Sequence, residues 1–280
     1  MTTENAIALG TFDGVHLGHK AVLEIPDKYN KIAVTFYIPP KYYFGGNMEL
    51  ILTADEKAAT LMKLGFNEIC MNDFEKYKNM SATDFLEHLY SEYKPSLISC
   101  GFNYRFGKGG KGDTELLKSF CENKNIIFKC ADAVEVDGST VSSTVIREYL
   151  KSGKINEANK LLYEPFFIDE KVIKGDKRGR TIGFPTINQA YPEDKVQIKF
   201  GVYKTCVTVG DKNYFGITYV GNRPSFKTDY VICETYIKDF EGELYGQQIK
   251  ISFLDYLRGE VKFSSVDELK EQLKKDIKSI

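Results

Sequence analysis

No apolar stretch in the 280 residues approaches the length needed to cross a membrane, and only three histidines and six scattered cysteines are present. The first lack argues against a membrane-spanning helix. Cys70, Cys100, Cys121, Cys130, Cys206 and Cys233 form no C-x-x-C pair and sit mostly in apolar segments, which favours buried thiols over disulfides or metal ligands. Net charge is also small. A formal −1 at pH 7 argues against general attraction to nucleic acid or acidic membranes, although Lys108, Lys111 and Lys177 to Arg180 form local basic clusters. Anionic ligands are therefore expected to be small molecules. Met1-Thr2-Thr3-Glu4-Asn5 lacks the basic start of a signal peptide, so a cytoplasmic location is expected. There is no tandem repeat, no low-complexity tract and no signal for oligomeric state. What is present, 42% hydrophobic and 28% charged residues, is the composition of a globular chain whose length suits two domains.

Two of the three histidines fall in Gly10-Thr11-Phe12-Asp13-Gly14-Val15-His16-Leu17-Gly18-His19. This run follows Ala6-Ile7-Ala8-Leu9 and leads into Lys20-Ala21-Val22-Leu23, which predicts a strand-to-helix junction. Backbone N–H groups at a helix start attract phosphate, and imidazoles three residues apart are neighbours on the first turn. A metal site would need a further Cys or His close by, and none is there. A pair of helix-surface histidines is the other reading. Downstream, Lys31 to Phe36, Glu68 to Met71 and Leu97 to Cys100 read as strands between helices that begin near Thr53 and run from Ser81 to Tyr93. Thr53 with Glu56 and Ser81 with Asp84 have capping-box spacing, and Phe85, Leu86, Leu89 and Tyr93 share a face. Such alternation predicts a parallel sheet whose ligands sit beyond the carboxyl ends of its strands. The glycine-rich, basic segment Gly101 to Asp113 follows one strand, and Val141-Ser142-Ser143-Thr144-Val145-Ile146-Arg147 opens a later helix. Each reads as part of a phosphate grip, or else as a flexible hairpin and a plain helix cap.

A boundary is expected near Lys151-Ser152-Gly153-Lys154, dividing the chain into 1–152 and 153–280. A short helix through Ala158, Leu161 and Leu162 follows, and then the pattern turns to β. Phe166 to Lys174, Gly201 to Val209, Tyr214 to Val220, Val231 to Ile237 and Gln247 to Phe253 have strand length and are separated by turn residues, which predicts a small closed barrel. Ser265 then caps a terminal helix whose stripe of Val266, Leu269, Leu273 and Ile277 is expected to pack into the core. Early in this half lies Gly175-Asp176-Lys177-Arg178-Gly179-Arg180-Thr181-Ile182-Gly183-Phe184-Pro185-Thr186-Ile187-Asn188. Gly175, Gly179 and Gly183 permit close backbone approach, Lys177, Arg178 and Arg180 supply positive charge, Pro185 stiffens the turn, and Thr186 and Asn188 offer hard oxygens suited to Mg²⁺. On residues alone, a phosphate and metal site stands beside a solvated basic loop ending in a strand.

The pattern G-D-x-x-G-R-x-I-G-F-P-T-x-N resembles the signature of riboflavin kinases, with Ile187 where the family usually has alanine. F-D-G-V-H-x-G-H resembles the nucleotidylyltransferase motif of bacterial bifunctional riboflavin kinase/FAD synthetases. The resemblance spans nearly the whole chain, with motifs in the family's order. It implies a Rossmann-like α/β nucleotidylyltransferase domain followed by a β-barrel kinase domain, using ATP, Mg²⁺, riboflavin, FMN and FAD. In the first domain it implies His16, His19 and Asn103 as catalytic and Gly10, Phe12, Asp13, Gly14, Gly18, Ser143, Thr144 and Arg147 as nucleotide- or phosphate-binding. In the second, Glu234-Thr235-Tyr236-Ile237-Lys238-Asp239-Phe240 and Leu257-Arg258-Gly259-Glu260-Val261-Lys262-Phe263 match family segments. They imply Glu234 as base and Tyr236 and Arg258 as flavin-binding, with Gly175, Lys177, Gly179, Arg180, Gly183 and Pro185 at the nucleotide and Thr186 and Asn188 at the metal. Tyr236 stands where the family usually has histidine. Val145 and Gly110 stand where basic residues are usual, and Tyr37-Ile38-Pro39-Pro40 replaces D-P-H-P. The Val145 and Gly110 departures keep open a kinase whose first domain is a weak or inactive, flavin-binding regulator; an adenylyltransferase for a different acceptor fused to an unrelated barrel would explain H-x-G-H but not the Pro185 to Asn188 and Glu234 segments.

Overall fold

The computed structural model describes residues 4–175, 179, 182–223 and 230–280. The chain forms two compact units, Met1–Thr144 and Val145–Ile280.

In the first unit, β1 (Asn5–Leu9), β2 (Asn30–Phe36), β3 (Glu68–Asn72), β4 (Pro95–Gly101) and β5 (Ile127–Ala131) form one sheet in the order β3-β2-β1-β4-β5. Every pairing is parallel. The connections carry α1 (Leu17–Leu23), α2 (Ala54–Lys63), α3 (Ala82–Tyr93) and α4 (Thr114–Lys124). Both expected caps form. Thr53 and Glu56 exchange side-chain-to-backbone bonds in a complete capping box, and Ser81 accepts from the Asp84 N–H. Phe85, Leu86 and Leu89 of α3 pack against Ile7, Leu9, Ile32, Val34 and Ile98 of the central strands. The near-continuous apolar runs of β1 and β2 reflect burial on both faces. Chain direction across the sheet reverses on either side of β1, so the loops after β1 and β4 flank the switch point where open α/β sheets bind ligands. A short hairpin, β6 (Glu135–Val136) and β7 (Ser139–Thr140), precedes α5 (Ser143–Ser152).

In the second unit, α6 (Ile155–Leu161) leads into β8 (Phe167–Lys171), β9 (Thr186–Ala190), β10 (Gly201–Val209), β11 (Lys212–Arg223), β12 (Tyr230–Ile237) and β13 (Gln248–Arg258). They form an antiparallel sheet in the order β8-β13-β10-β11-β12-β9 that curls into a nearly closed barrel. The fully buried Gln189 helps close it: its Nε2 donates to Glu170 O at 2.6 Å and Ile249 O at 2.7 Å, tying β9 to β8 and β13. Inside, the hydroxyls of Thr205, Thr218 and Thr235 form a buried chain with 2.9 Å steps, so these three hydroxyls satisfy one another. β13 runs to Arg258, five residues beyond the expected end, because two register shifts let it follow β10 around the barrel.

The terminal helix α7 (Val266–Lys278) departs from expectation. Its apolar stripe is not core: Val266 is exposed, and Leu269 and Leu273 face a cavity instead. Cysteine burial is also mixed, with Cys100, Cys121 and Cys233 buried, Cys70 and Cys206 partly so, and Cys130 exposed on β5.

Candidate active sites

Each unit holds one site. In the first, the chain leaves β1 through a tight turn in which Phe12 and Val15 take positive φ, at 48° and 40°, and Gly14 does so at 89°. The turn is fixed from beneath. Asp13 accepts from Ile51 N–H at 2.8 Å, and its carbonyl accepts from Ser143 Oγ at 2.8 Å, bringing the start of α5 onto the turn. Thr35 Oγ1 donates to Thr11 O at 3.0 Å. Gly10 and Gly18 serve close packing, since an added Cβ would lie 2.7 Å from the Phe12 ring and 3.1 Å from the His16 ring respectively.

This scaffold presents the two imidazoles together. His16 caps α1, its Nδ1 accepting from His19 N–H at 3.2 Å, and the rings stack at 3.6 Å with 17° between planes. Phe12 is buried and meets His19 edge-on at 5.4 Å. Burial first, then the His16 and Lys57 charges, hold the His19 pKa well below the usual histidine value, so His19 is neutral at pH 7. Its Nδ1 is buried without a partner. Across the switch point, Asn103 is exposed in the turn after β4. The loop that follows is an ordered hairpin closed by a Phe106–Gly112 bridge, with Gly110 exposed at its tip. Thr144 is exposed at the start of α5, whereas Arg147, buried further along that helix, falls in the second unit. Sequence reasoning missed Lys57. It occupies the position four residues before Leu61 on the buried face of α2, and a lysine at such a core position was the available signal.

In the second unit, the pairing of β9 with β12 sets Asn188 opposite Glu234 and Thr186 opposite Tyr236. Thr186 Oγ1 donates to Glu234 Oε1 at 2.7 Å, while Oε2 has no partner among the described residues. A cavity of about 450 Å³ opens beside this pair. Ile182, Phe184, Val202, Ile217, Leu269 and Leu273 supply apolar walls, and Glu234, Tyr236, Tyr219, Glu260 and Arg258 supply polar points. That mixture suits a flat, largely apolar ligand with a few polar edges. Tyr236 is braced edge-on by Phe184 at 5.9 Å. Arg258 grips Asp276 of α7 through Nε and Nη2, the latter at 2.7 Å, and so holds that helix at the cavity. Tyr219 donates to Glu260, and a Cβ on Gly221 would collide with both.

A second, smaller cleft lies alongside Pro185, Ile187, Phe240, Leu244 and Tyr245, and Thr186 lines both spaces. Gly175 and Gly179 lie close to Asn188, Phe184 and Thr186. A Cβ on Gly175 would lie 2.5 Å from Asn188 Nδ2, and one on Gly179 would lie 2.3 Å from Phe184 O and 3.2 Å from Thr186 Oγ1. Gly183 has φ of 88° with open space around it. Lys177 and Arg180 lie outside the described residues. Because Thr186 donates its proton to Glu234, its oxygen keeps lone pairs for a cation. A hydroxyl, a carboxylate and an amide on the paired strands β9 and β12, with Gly175 and Gly179 close by, fit a small hard cation shared with phosphates. No trio of His, Cys, Asp or Glu side chains among the described residues forms an all-protein metal cage.

Both units have counterparts in known proteins. A family model described as FAD synthetase matches residues 1–145, and one described as riboflavin kinase matches residues 162–280. Bifunctional riboflavin kinase/FMN adenylyltransferases from Listeria monocytogenes and Bacillus subtilis are each 33% identical to the chain. The alignments cover 96% and 98% of this chain and 89% and 90% of those proteins. The Escherichia coli protein of the same name is 30% identical over 96% of the chain and 90% of its own length. A solved structure described as a macrolide-efflux protein from Streptococcus pneumoniae superposes with a TM-score of 0.88 at 29% identity, covering 99% of this chain and 94% of that one. None of the described helices is long and apolar enough to cross a membrane. With one family model matched in each half of the chain and relatives of the bifunctional name aligned over nearly all of it, the chain belongs to the bifunctional riboflavin kinase/FMN adenylyltransferases.

Proposed function

We propose that the chain converts riboflavin to FMN in residues 153–280 and FMN to FAD in residues 1–152, consuming one ATP in each step. The observation that carries the kinase reading is Thr186, which lines both the flavin-sized cavity and the smaller cleft and is hydrogen-bonded to Glu234. An acceptor hydroxyl in the cavity and a γ-phosphoryl in the cleft would meet at that pair. Glu234 Oε2 accepts the proton of the riboflavin 5′-hydroxyl as its oxygen bonds to the γ-phosphorus and the bond to the β-phosphate oxygen breaks, releasing ADP. Oε1, fixed by Thr186, keeps the carboxylate aligned. Tyr236 and Arg258 bound the flavin, directly at the cavity wall and through the Arg258–Asp276 grip on α7. Gly175, Gly179, Gly183 and Pro185 are assigned to the nucleotide side, where Lys177 and Arg180 would supply positive charge. Mg²⁺ would be held by Thr186 and Asn188 and would neutralise phosphate charge.

In the first unit the FMN phosphate is already an anionic nucleophile at neutral pH, so no general base is needed. Its oxygen attacks the α-phosphorus of ATP, and the bond to the β-phosphate oxygen breaks to release pyrophosphate. The stacked His16 and His19 position and stabilise the phosphates. Asn103 in the turn after β4 and Ser143, whose hydroxyl bonds the Asp13 carbonyl, would contact the nucleotide, with Thr144 and Arg147 assigned to it as well. Asp13, Gly10, Phe12, Gly14 and Gly18 support the site by shaping the turn. The partners are small molecules and not nucleic acid, in keeping with the small net charge, and the bacterial metabolic relatives support a cytoplasmic location.

Incubation of the purified protein with riboflavin, ATP and Mg²⁺, followed by chromatography, is expected to show FMN rising first and FAD after it. FMN without FAD would favour the flavin-binding regulator for the first unit. Within the kinase unit, Thr186→Ala and Asn188→Ala are each expected to raise the Mg²⁺ and ATP concentrations needed for FMN formation and to leave adenylylation of supplied FMN unchanged. Loss of both activities together with a lowered melting temperature would instead assign these residues to the barrel framework.

A further inference from the structure

Lys57 is 2% exposed in the first unit, and the chemistry above leaves it without a role. Removing an ammonium from water is costly unless it is well bonded. Its Nζ donates to Thr11 O at 3.2 Å and Phe36 O at 2.5 Å. Thr11 opens the turn after β1 and Phe36 ends β2, so the side chain ties together the carboxyl ends of two adjacent strands beside the switch point. Two of its three N–H donors are thereby used, and the third has no partner among the described residues. The adjacent His19 Nδ1 is likewise buried and unpartnered. A neutral amide could bridge the same two carbonyls without placing a charge in the interior. A charge at this point is useful where an anion must be received.

We propose that Lys57 is a positioning residue of adenylyl transfer: its ammonium clamps the Thr11 turn to the end of β2 and holds a fixed positive charge beside the His16–His19 pair. The inference rests on the FAD-forming reading of the first unit. The titratable groups acting on this corner are His16 and His19 on the turn and α1, Lys57 on α2, and Asp13, whose carboxylate favours the charged ammonium. Burial outweighs Asp13 and lowers the Lys57 pKa to about 8. The ammonium therefore loses its proton, and the site its fixed charge, as pH rises through about 8.

The test uses the full-length protein and its Lys57→Met, Lys57→Gln and Lys57→Arg variants, with FAD formation from FMN and ATP and FMN formation from riboflavin recorded for each. Lys57→Met and Lys57→Gln are expected to lower kcat for FAD formation by about 10²-fold, the scale of one lost electrostatic contact at a reacting centre. Riboflavin phosphorylation should be unchanged, and Lys57→Arg should restore most of the lost rate. In kcat/KM, which reports the free enzyme, the wild type should show a decline through about pH 8 that Lys57→Arg lacks, because guanidinium stays charged. A merely structural clamp would not produce that limb. Wild-type rates in Lys57→Gln overturn the proposal. If the neutral variants fail to fold, the pH comparison decides, and the same limb in wild type and Lys57→Arg, or none in either, overturns it. A wild-type protein that forms FMN and never FAD overturns the reading of the first unit, and the role of Lys57 falls with it. A working wild type with active neutral variants overturns Lys57 alone.

Discussion

Glu234→Gln is expected to lower FMN formation by about 10²–10⁴-fold while FAD still forms from supplied FMN. The substitution keeps the shape of the side chain and can still accept from Thr186 Oγ1, so the barrel wall and the β9–β12 pairing stay in place. What is lost is a group able to take the hydroxyl proton. The selectivity follows from the placement of Glu234 on β12, in a unit with its own cavity and core. Near wild-type phosphorylation by this variant would mean that the hydroxyl loses its proton elsewhere, and the Thr186–Glu234 pair would then serve alignment only.

The reciprocal result is expected for the first unit. His16→Ala or His19→Ala should block FAD formation by about 10²–10³-fold, the usual effect of losing one preorganised donor. Riboflavin phosphorylation should persist, so FMN accumulates. His16 also caps α1 and stacks on His19, so His16→Ala alone mixes chemistry with folding. His16→Asn separates them, since asparagine is a good helix cap with no imidazole. It should recover the melting temperature of the wild type and not its FAD-forming rate. Recovery of both would reduce His16 to a cap.

The features legible in the sequence were those with short-range causes. Thr53 and Ser81 announced their helices because a cap and its partner lie three residues apart, and the stripe of Phe85, Leu86 and Leu89 named the buried face of α3. The paired histidines were legible for the same reason, as one helical turn brings them together. Contacts made by topology were not. Nothing local relates Thr186 to Glu234, 48 positions apart, or Ser143 to the Asp13 carbonyl, 130 apart, until the barrel and the sheet place them side by side. The terminal helix shows the limit of periodicity. Leu269 and Leu273 have core spacing whether they face packed side chains or a cavity, and it is their place in the cavity lining, beside the Arg258–Asp276 pair, that shows which. Lys57 is not legible because a lysine on a helix is ordinarily solvated, and its burial depends on two carbonyls, of Thr11 and Phe36, far from it in sequence.

The central claim is that one chain performs two different phosphorus transfers from ATP, and the position of the label in the products tests it most directly. Wild-type protein is incubated with riboflavin and Mg²⁺ and either [γ-³²P]ATP or [α-³²P]ATP, and the flavins are separated. With the γ label, FMN should be radioactive, and FAD should carry the same label in its FMN half. With the α label, FMN should remain unlabelled, while FAD should be labelled in its AMP half. Label from the α position in FMN, or FAD that never acquires it, would contradict the account.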